Sequence, residues 1–177
     1  MRNISQIRYP RGFTLLELIV VMALLGVLAV AIAPRFQSTG SAVEYTYQSR
    51  LISSLRTMQQ RAMNDTRDNF CFQVNVYSGS SSSFGPPTLR YTVVNSSLTC
   101  ATTIDSSEDS QYLVADIDEM NDDGVSITAG AGTIAFNSMG CPNIGLGFCA
   151  ANTRVEIQGE TTVAVCVESQ GYIHACD

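Results

Sequence analysis

Residues 11–36 read RGFTLLELIVVMALLGVLAVAIAPRF, and this stretch sets the architecture of the chain. Leu18 to Ala33 is a run of sixteen residues with neither a charge nor a polar side chain. Arg2, Arg8 and Arg11 precede it, and Pro34-Arg35 closes it. As a helix rising about 1.5 Å per residue, Phe13 to Pro34 covers roughly 33 Å, close to the hydrocarbon thickness of a bilayer. The basic flank predicts that the N-terminal end is cytoplasmic and that everything after Arg35 lies across the membrane.

Glu17 is the residue that sorts the possible readings. A cleavable secretory signal has a basic start, an apolar stretch and a small-residue cut site, and Ala31-Ile32-Ala33 supplies one. Pro34 directly after that site and Glu17 within the apolar region oppose this reading. A plain anchor meets the same objection, because a carboxylate at depth costs about 2.5–3.5 kcal/mol on insertion scales. Such a group needs a partner and a purpose.

Arg11-Gly12-Phe13-Thr14-Leu15-Leu16-Glu17, with the apolar run after it, resembles the processing site of type IV pilins and of the pseudopilins of type II secretion. The resemblance covers about twenty-five residues. It implies that a membrane peptidase cuts between Gly12 and Phe13 and that Phe13 is then N-methylated. It also implies that Glu17 is the filament-assembly carboxylate, and that Gly26 and Pro34 mark where the helix loosens in a filament. The chemistry is consistent with this. A methylated α-amine stays cationic at neutral pH. In a filament core, Glu17 of one subunit would neutralise the buried amine of Phe13 on its neighbour, fixing the axial stagger between them. Pro34 kinks or locally opens any helix that passes through it, whatever its function.

The chain has 177 residues and a formal charge of −6, with ten Arg, no Lys, sixteen acids, six Cys and one His. That length allows one domain with an appendage. The acidic balance excludes a generally basic nucleic-acid binder. The Cys form no CxxC pair and no zinc-spaced Cys/His cluster, so a widely spaced, even set implies disulfides in an oxidising compartment.

Beyond Pro34, Val43, Tyr47, Leu51, Leu55, Met58 and Ala62 recur at three- and four-residue intervals and mark one apolar helical face. Arg50, Arg56, Gln60 and Arg61 fall on the other side, which reads as a solvated surface. Gly40 weakens the helix and Asn64-Asp65 stops it, so Phe13 to Asn64 is expected to form one long bent helix. The remainder reads as strands. Phe70, Phe72, Val74 and Val76 alternate with polar residues, as do Leu89, Tyr91 and Val93. Val125–Ile127 and Ile134–Phe136 are shorter. Val155–Ile157 and Val163–Val167 form a hairpin around Gly159, and Gly171 turns the chain into a last strand, Tyr172 to Cys176. The Ser78–Ser83 run reads as a flexible loop. The expected class is therefore α+β, a long N-terminal helix packed on an antiparallel sheet, which is also the pilin arrangement. Its divisions are a cleaved leader (1–12), a membrane and filament-core helix (13–36), an amphipathic helix (37–64) and a β-rich head (65–177).

Six Cys allow fifteen pairings. Nearness favours Cys141–Cys149 around a Pro/Gly loop and Cys166–Cys176 across the Gly171 turn, leaving Cys71–Cys100. The acids Asp116, Asp118, Glu119, Asp122 and Asp123 invite comparison with a calcium loop. Their spacing does not match one, so they read as a solvated turn. His174 and Cys176 share a strand face, but an oxidised Cys is no nucleophile. No Ser/His/Asp arrangement, phosphate loop or catalytic carboxylate pair is present, and no cofactor or metal is implied. The sequence thus predicts a protein that is not an enzyme.

Phe136-Asn137-Ser138-Met139-Gly140, the hairpin and the Gly171 turn resemble the H-type domain of minor pseudopilins. Tyr47 to Ala62 and Gly171 to Cys176 are more similar to the MshC class of minor pilins of mannose-sensitive haemagglutinin (MSHA) pili. These resemblances imply a subunit that acts in pilus assembly or initiation. Its partners would be major and minor pilins, the prepilin peptidase/methyltransferase and an inner-membrane assembly platform, with no nucleic acid. It would be held in the bacterial inner membrane with its head in the periplasm, then displayed on the pilus. A type II secretion pseudopilin and a membrane-tethered adhesin are the alternative readings.

Overall fold

The computed structural model describes residues 13–32, 40–65, 71–87, 92–94, 97–106 and 113–176. The chain divides into two compact units, Met1–Ser38 and Thr39–Asp177.

The first unit contains helix α1, Leu15–Ile32. Thr14 caps it: its Oγ1 accepts a hydrogen bond from the Glu17 backbone N–H at 3.2 Å. Thr14-Leu15-Leu16-Glu17 thus has the Thr-x-x-Glu order of a capping sequence, with the Glu17 N–H at the third helical position held by the Thr14 hydroxyl. Among the described residues, no helix is long and apolar enough to cross a membrane. The eighteen residues of α1 cover about 27 Å, against a hydrocarbon thickness of about 30 Å. The shortfall from the expected 13–36 span lies at the ends, because Phe13 and Thr14 precede the first helical turn and 33–36 fall outside the described residues. The expected continuous helix from Phe13 to Asn64 includes 33–39, which also lie outside them.

The second unit is built around α2, Gly40–Asn64. Two four-stranded antiparallel sheets pack against it. In the first, the order is β2-β1-β6-β7, with β1 Gln73–Tyr77, β2 Ser83–Gly85, β6 Thr133–Phe136 and β7 Pro142–Asn143. In the second, the order is β10-β9-β8-β5, with β5 Ser126–Ala129, β8 Thr153–Gln158, β9 Thr162–Val167 and β10 Ile173–Cys176. A separate ladder joins β3, Thr92–Val94, to β4, Ser97–Thr99. The head is α+β as expected, but its β layer is split between two sheets rather than formed by one.

The apolar face of α2 is the one its periodicity marks. Tyr47, Leu51, Leu55, Met58 and Ala62 are buried, and Val43 packs against them. They meet Val74 and Val76 of β1, Ile134 and Phe136 of β6, and the inward residues of β8, β9 and β10. The β8–β9 hairpin pairs Gln158 with Thr162 and so turns through Gly159-Glu160-Thr161. Gly159 is required there, because a Cβ would lie 2.4 Å from Glu44 Oε1.

Two segments depart from the sequence expectation. The Ser-rich run is ordered into a 3₁₀ turn, Gly79–Ser81, followed by β2. Fully buried Phe84 anchors it. Ser82 and Ser78 hydroxyls accept the backbone N–H groups of Ile127 (2.7 Å) and Ala129 (3.1 Å), so the run covers the outer edge of β5. A composition of small polar residues reads as a loop, yet those hydroxyls substitute for a missing strand partner. The acidic run likewise contains a short helix, α3, Ile117–Asp122. Asp116 caps it by accepting the Glu119 N–H at 2.9 Å, and Met120 is its buried residue.

Candidate functional site

Two regions hold the residues with a candidate role. The first is the α1 segment. Phe13 is 84% exposed, and every described side chain from Phe13 to Leu28 faces outward. Glu17 lies in the first turn of α1. Gly26 is helical, and nothing lies within 4 Å of the position its Cβ would take. Gly12 and Pro34 are outside the described residues. What the segment presents is a single carboxylate near the start of an otherwise apolar helix, whose described side chains from Phe13 to Leu28 are all exposed.

The second region is the polar surface of the head. Arg50 does not lie on a solvated helix face as the charge pattern predicts. Its Nη1 meets Glu119 Oε1 at 2.5 Å and its Nη2 donates to the Val114 carbonyl. Arg56 Nη2 donates to the Ile173 carbonyl at 2.8 Å. Both guanidiniums therefore fasten the helix to neighbouring elements, since a long stem lets Arg reach a carbonyl beside the apolar stripe. Arg61 remains exposed.

Beside Arg50, the Tyr47 hydroxyl donates to Asp123 Oδ2 at 2.6 Å. Its pKa is pushed well above the usual tyrosine value. Burial is the largest cause, followed by the hydrogen bond to Asp123 and the nearby carboxylates of Glu119 and Asp123, with Arg50 opposing. The α3 acids are thus occupied in part by Tyr47 and Arg50. Among the described residues, no group of His, Cys, Asp and Glu is arranged to hold a metal ion. A shallow groove runs along the outer face of α2, lined by Tyr45, Thr46, Ser49, Arg50 and Ser53.

Three features escape a reading of the sequence. Gln59 Nε2 donates to both the Gly140 carbonyl (2.8 Å) and the Gly171 carbonyl (2.6 Å), tying two turns to α2. Gln73, Asn75 and Tyr77 project from one side of β1 onto a single covering segment. Asn75 Nδ2 donates to the Ala101 carbonyl at 3.1 Å, Gln73 Nε2 donates to Asn75 Oδ1 at 2.8 Å, and the Tyr77 hydroxyl donates to the Thr102 carbonyl. Glu44 is 1% exposed; its Oε1 accepts the Thr161 N–H at 2.8 Å, and its Oε2 has no partner among the described residues. No local pattern marks these residues, because each depends on a segment far away in sequence.

The six Cys form Cys71–Cys100, Cys141–Cys149 and Cys166–Cys176, the pairs that nearness favours. His174 stacks on Tyr172 with ring centroids 4.7 Å apart. Its Nε2 lies 3.4 Å from Glu168 Oε1, and its Nδ1 lies 2.9 Å from the Ala175 carbonyl. With Cys176 bonded to Cys166, no free thiol stands beside this His.

Comparison with known proteins gives one match in sequence and one in structure. Residues 7–33 match the prokaryotic N-terminal methylation motif. No curated protein matches the chain in sequence. The crystal structure of the type IV minor pilin FimU from Pseudomonas aeruginosa (strain PAO1) is similar over 78% of this chain and 92% of that one, with a TM-score of 0.45 and 8% identity.

Proposed function

We propose that this chain is a minor pilin-like structural subunit of a type IV pilus, of the MSHA kind, acting in pilus assembly or initiation and catalysing nothing itself. The N-terminal methylation motif over residues 7–33 carries the proposal. It spans the whole of α1, where Glu17 lies in the first turn and large apolar side chains from Phe13 to Leu28 are exposed. That surface needs covering, first by lipid and then by the equivalent helices of neighbouring subunits. Cleavage between Gly12 and Phe13 would free an α-amine four residues before Glu17. A buried amine and a buried carboxylate are each costly alone and tolerable as a pair, so Glu17 would select the register in which it meets the next subunit's Phe13.

In this scheme the divisions are a leader (1–12), a membrane and filament-core helix (13–36), an amphipathic helix (37–64) and a head (65–177). The leader's Arg residues hold the N-terminus cytoplasmic, and the head is periplasmic until assembly. Gly26 and Pro34 would supply the places where the helix yields as it packs. Major and minor pilins, the prepilin peptidase/methyltransferase and the assembly platform are the partners. Co-expression with a prepilin peptidase, followed by mass analysis of the N-terminus, tests the processing step. A mature chain beginning at an N-methylated Phe13 is expected; cleavage after Ala33 would overturn the reading in favour of a secretory signal.

A further inference from the structure

We infer that Cys166–Cys176 is a thiol–disulfide exchange site, the one disulfide of this chain built to be opened by a dithiol. Three observations place it apart. Cys71 and Cys141 are 0% and 7% exposed, so each of the other two disulfides has one buried end, whereas Cys166 and Cys176 are both partly exposed. Cys176 lies on β10, the edge strand of its sheet, where an incoming thiolate can approach. Cys166, on the neighbouring β9, is flanked in register by two basic side chains: Arg154 is its cross-strand partner on β8 and His174 its partner on β10.

Residues directly opposite one another on antiparallel strands share a sheet face, so Arg154, Cys166 and His174 form one row. The Arg154 Nη1 also reaches to 3.9 Å from Cys176 Sγ. Glu156 tempers this charge through a 3.0 Å contact with Arg154 Nε, and Glu168 lies 3.4 Å from His174. A guanidinium cannot deprotonate, so it favours thiolate at either sulfur and speeds departure of the leaving thiolate.

A thiolate of the dithiol attacks Cys176 Sγ, the S–S bond breaks, and Cys166 leaves as a thiolate beside Arg154. The dithiol's second sulfur then attacks its own partner in the mixed disulfide, closing a cyclic disulfide and releasing Cys176. Two electrons pass from the dithiol to the cysteine pair, and the dithiol's two protons reach the cysteines through solvent. Strand β10 remains hydrogen-bonded to β9 from Ile173 to Cys176, so the opened pair sits on an otherwise intact sheet.

The test is timed alkylation of the full chain in detergent, with limiting dithiothreitol at neutral pH and peptide mass mapping of all six Cys. Cys166 and Cys176 should be labelled first. Arg154→Gln should slow their labelling about threefold, the order given by a one-unit change in thiol acidity and a Brønsted slope near 0.5. Arg154→Lys should restore the rate, and the other two pairs should be unaffected by either change. Earlier opening of Cys141–Cys149 or Cys71–Cys100 would overturn the inference, as would an unchanged rate in Arg154→Gln.

Discussion

Replacing Gln59 with Ala removes a single side-chain nitrogen that holds two turns. Its Nε2 donates to the carbonyls of Gly140 and Gly171, both buried residues, at 2.8 and 2.6 Å. Two lost hydrogen bonds are worth about 1 kcal/mol each, and leaving buried carbonyls unsatisfied raises the cost. A loss of about 3 kcal/mol is expected. With a guanidinium slope near 4 kcal/mol/M, the unfolding midpoint should fall by about 0.7 M. The assay is denaturation of the full chain in detergent, followed by near-UV circular dichroism, which reads the packed tyrosines rather than the helix content of α1. Gly171→Ala provides the companion test. Gly171 has a φ of +88°, and a Cβ there would lie 2.2 Å from the Gly140 carbonyl oxygen and 2.7 Å from Gln59 Nε2. The closer clash is with backbone, so Gly171→Ala should cost nearly as much in a Gln59→Ala background as alone. A midpoint shift below about 0.1 M for Gln59→Ala would refute the reasoning.

Other outcomes follow from the same geometry. Glu17→Ala should be processed normally yet be depleted from sheared filaments, which immunoblotting of the filament fraction will show. Tyr47 has its pKa raised in the folded state, so its stabilisation is complete below the unfolded value of about 10 and is lost as pH rises toward the folded one. Wild-type stability should therefore decline in alkali, and Tyr47→Phe should flatten that decline in a denaturation series across pH. Replacing both Cys71 and Cys100 by Ser opens a crosslink spanning 29 residues, whereas Cys141–Cys149 spans 8. Loop entropy sets costs of about 3.6 and 2.5 kcal/mol respectively, measurable as the order of the two unfolding midpoints. Asp116→Ala should lower stability by about 1 kcal/mol through loss of the α3 cap.

The helical face of α2 was legible because burial on one side imposes a period that nothing else produces: Tyr47, Leu51, Leu55, Met58 and Ala62 follow it and are all buried. The β8–β9 hairpin and the last strand were legible for the same reason, with alternation and glycine turns in place of helical spacing. Gln73 and Asn75 were misleading. They alternate with Val74 and Val76 as outward residues should, yet they are 7% and 1% exposed, because the segment after Cys100 lies over them and accepts their hydrogen bonds. Alternation reports which face a residue takes, and a distant segment decides whether that face is wet. Ser78 and Ser82 show the same limit, as their edge-covering role exists only once β5 is alongside. The candidate assembly residues present the reverse case. Phe13 and Glu17 are marked by a local motif alone, and the role proposed for them is one played between subunits, where no long-range packing within the chain defines it.

The most direct test of the account is the composition of sheared pili from cells expressing this chain with its cognate pilins. The account predicts that the filament fraction contains the chain, beginning at an N-methylated Phe13, and that it is recovered with other pilins. A chain that stays wholly in the membrane fraction, binds a surface ligand as a monomer and never co-purifies with pilins would contradict it.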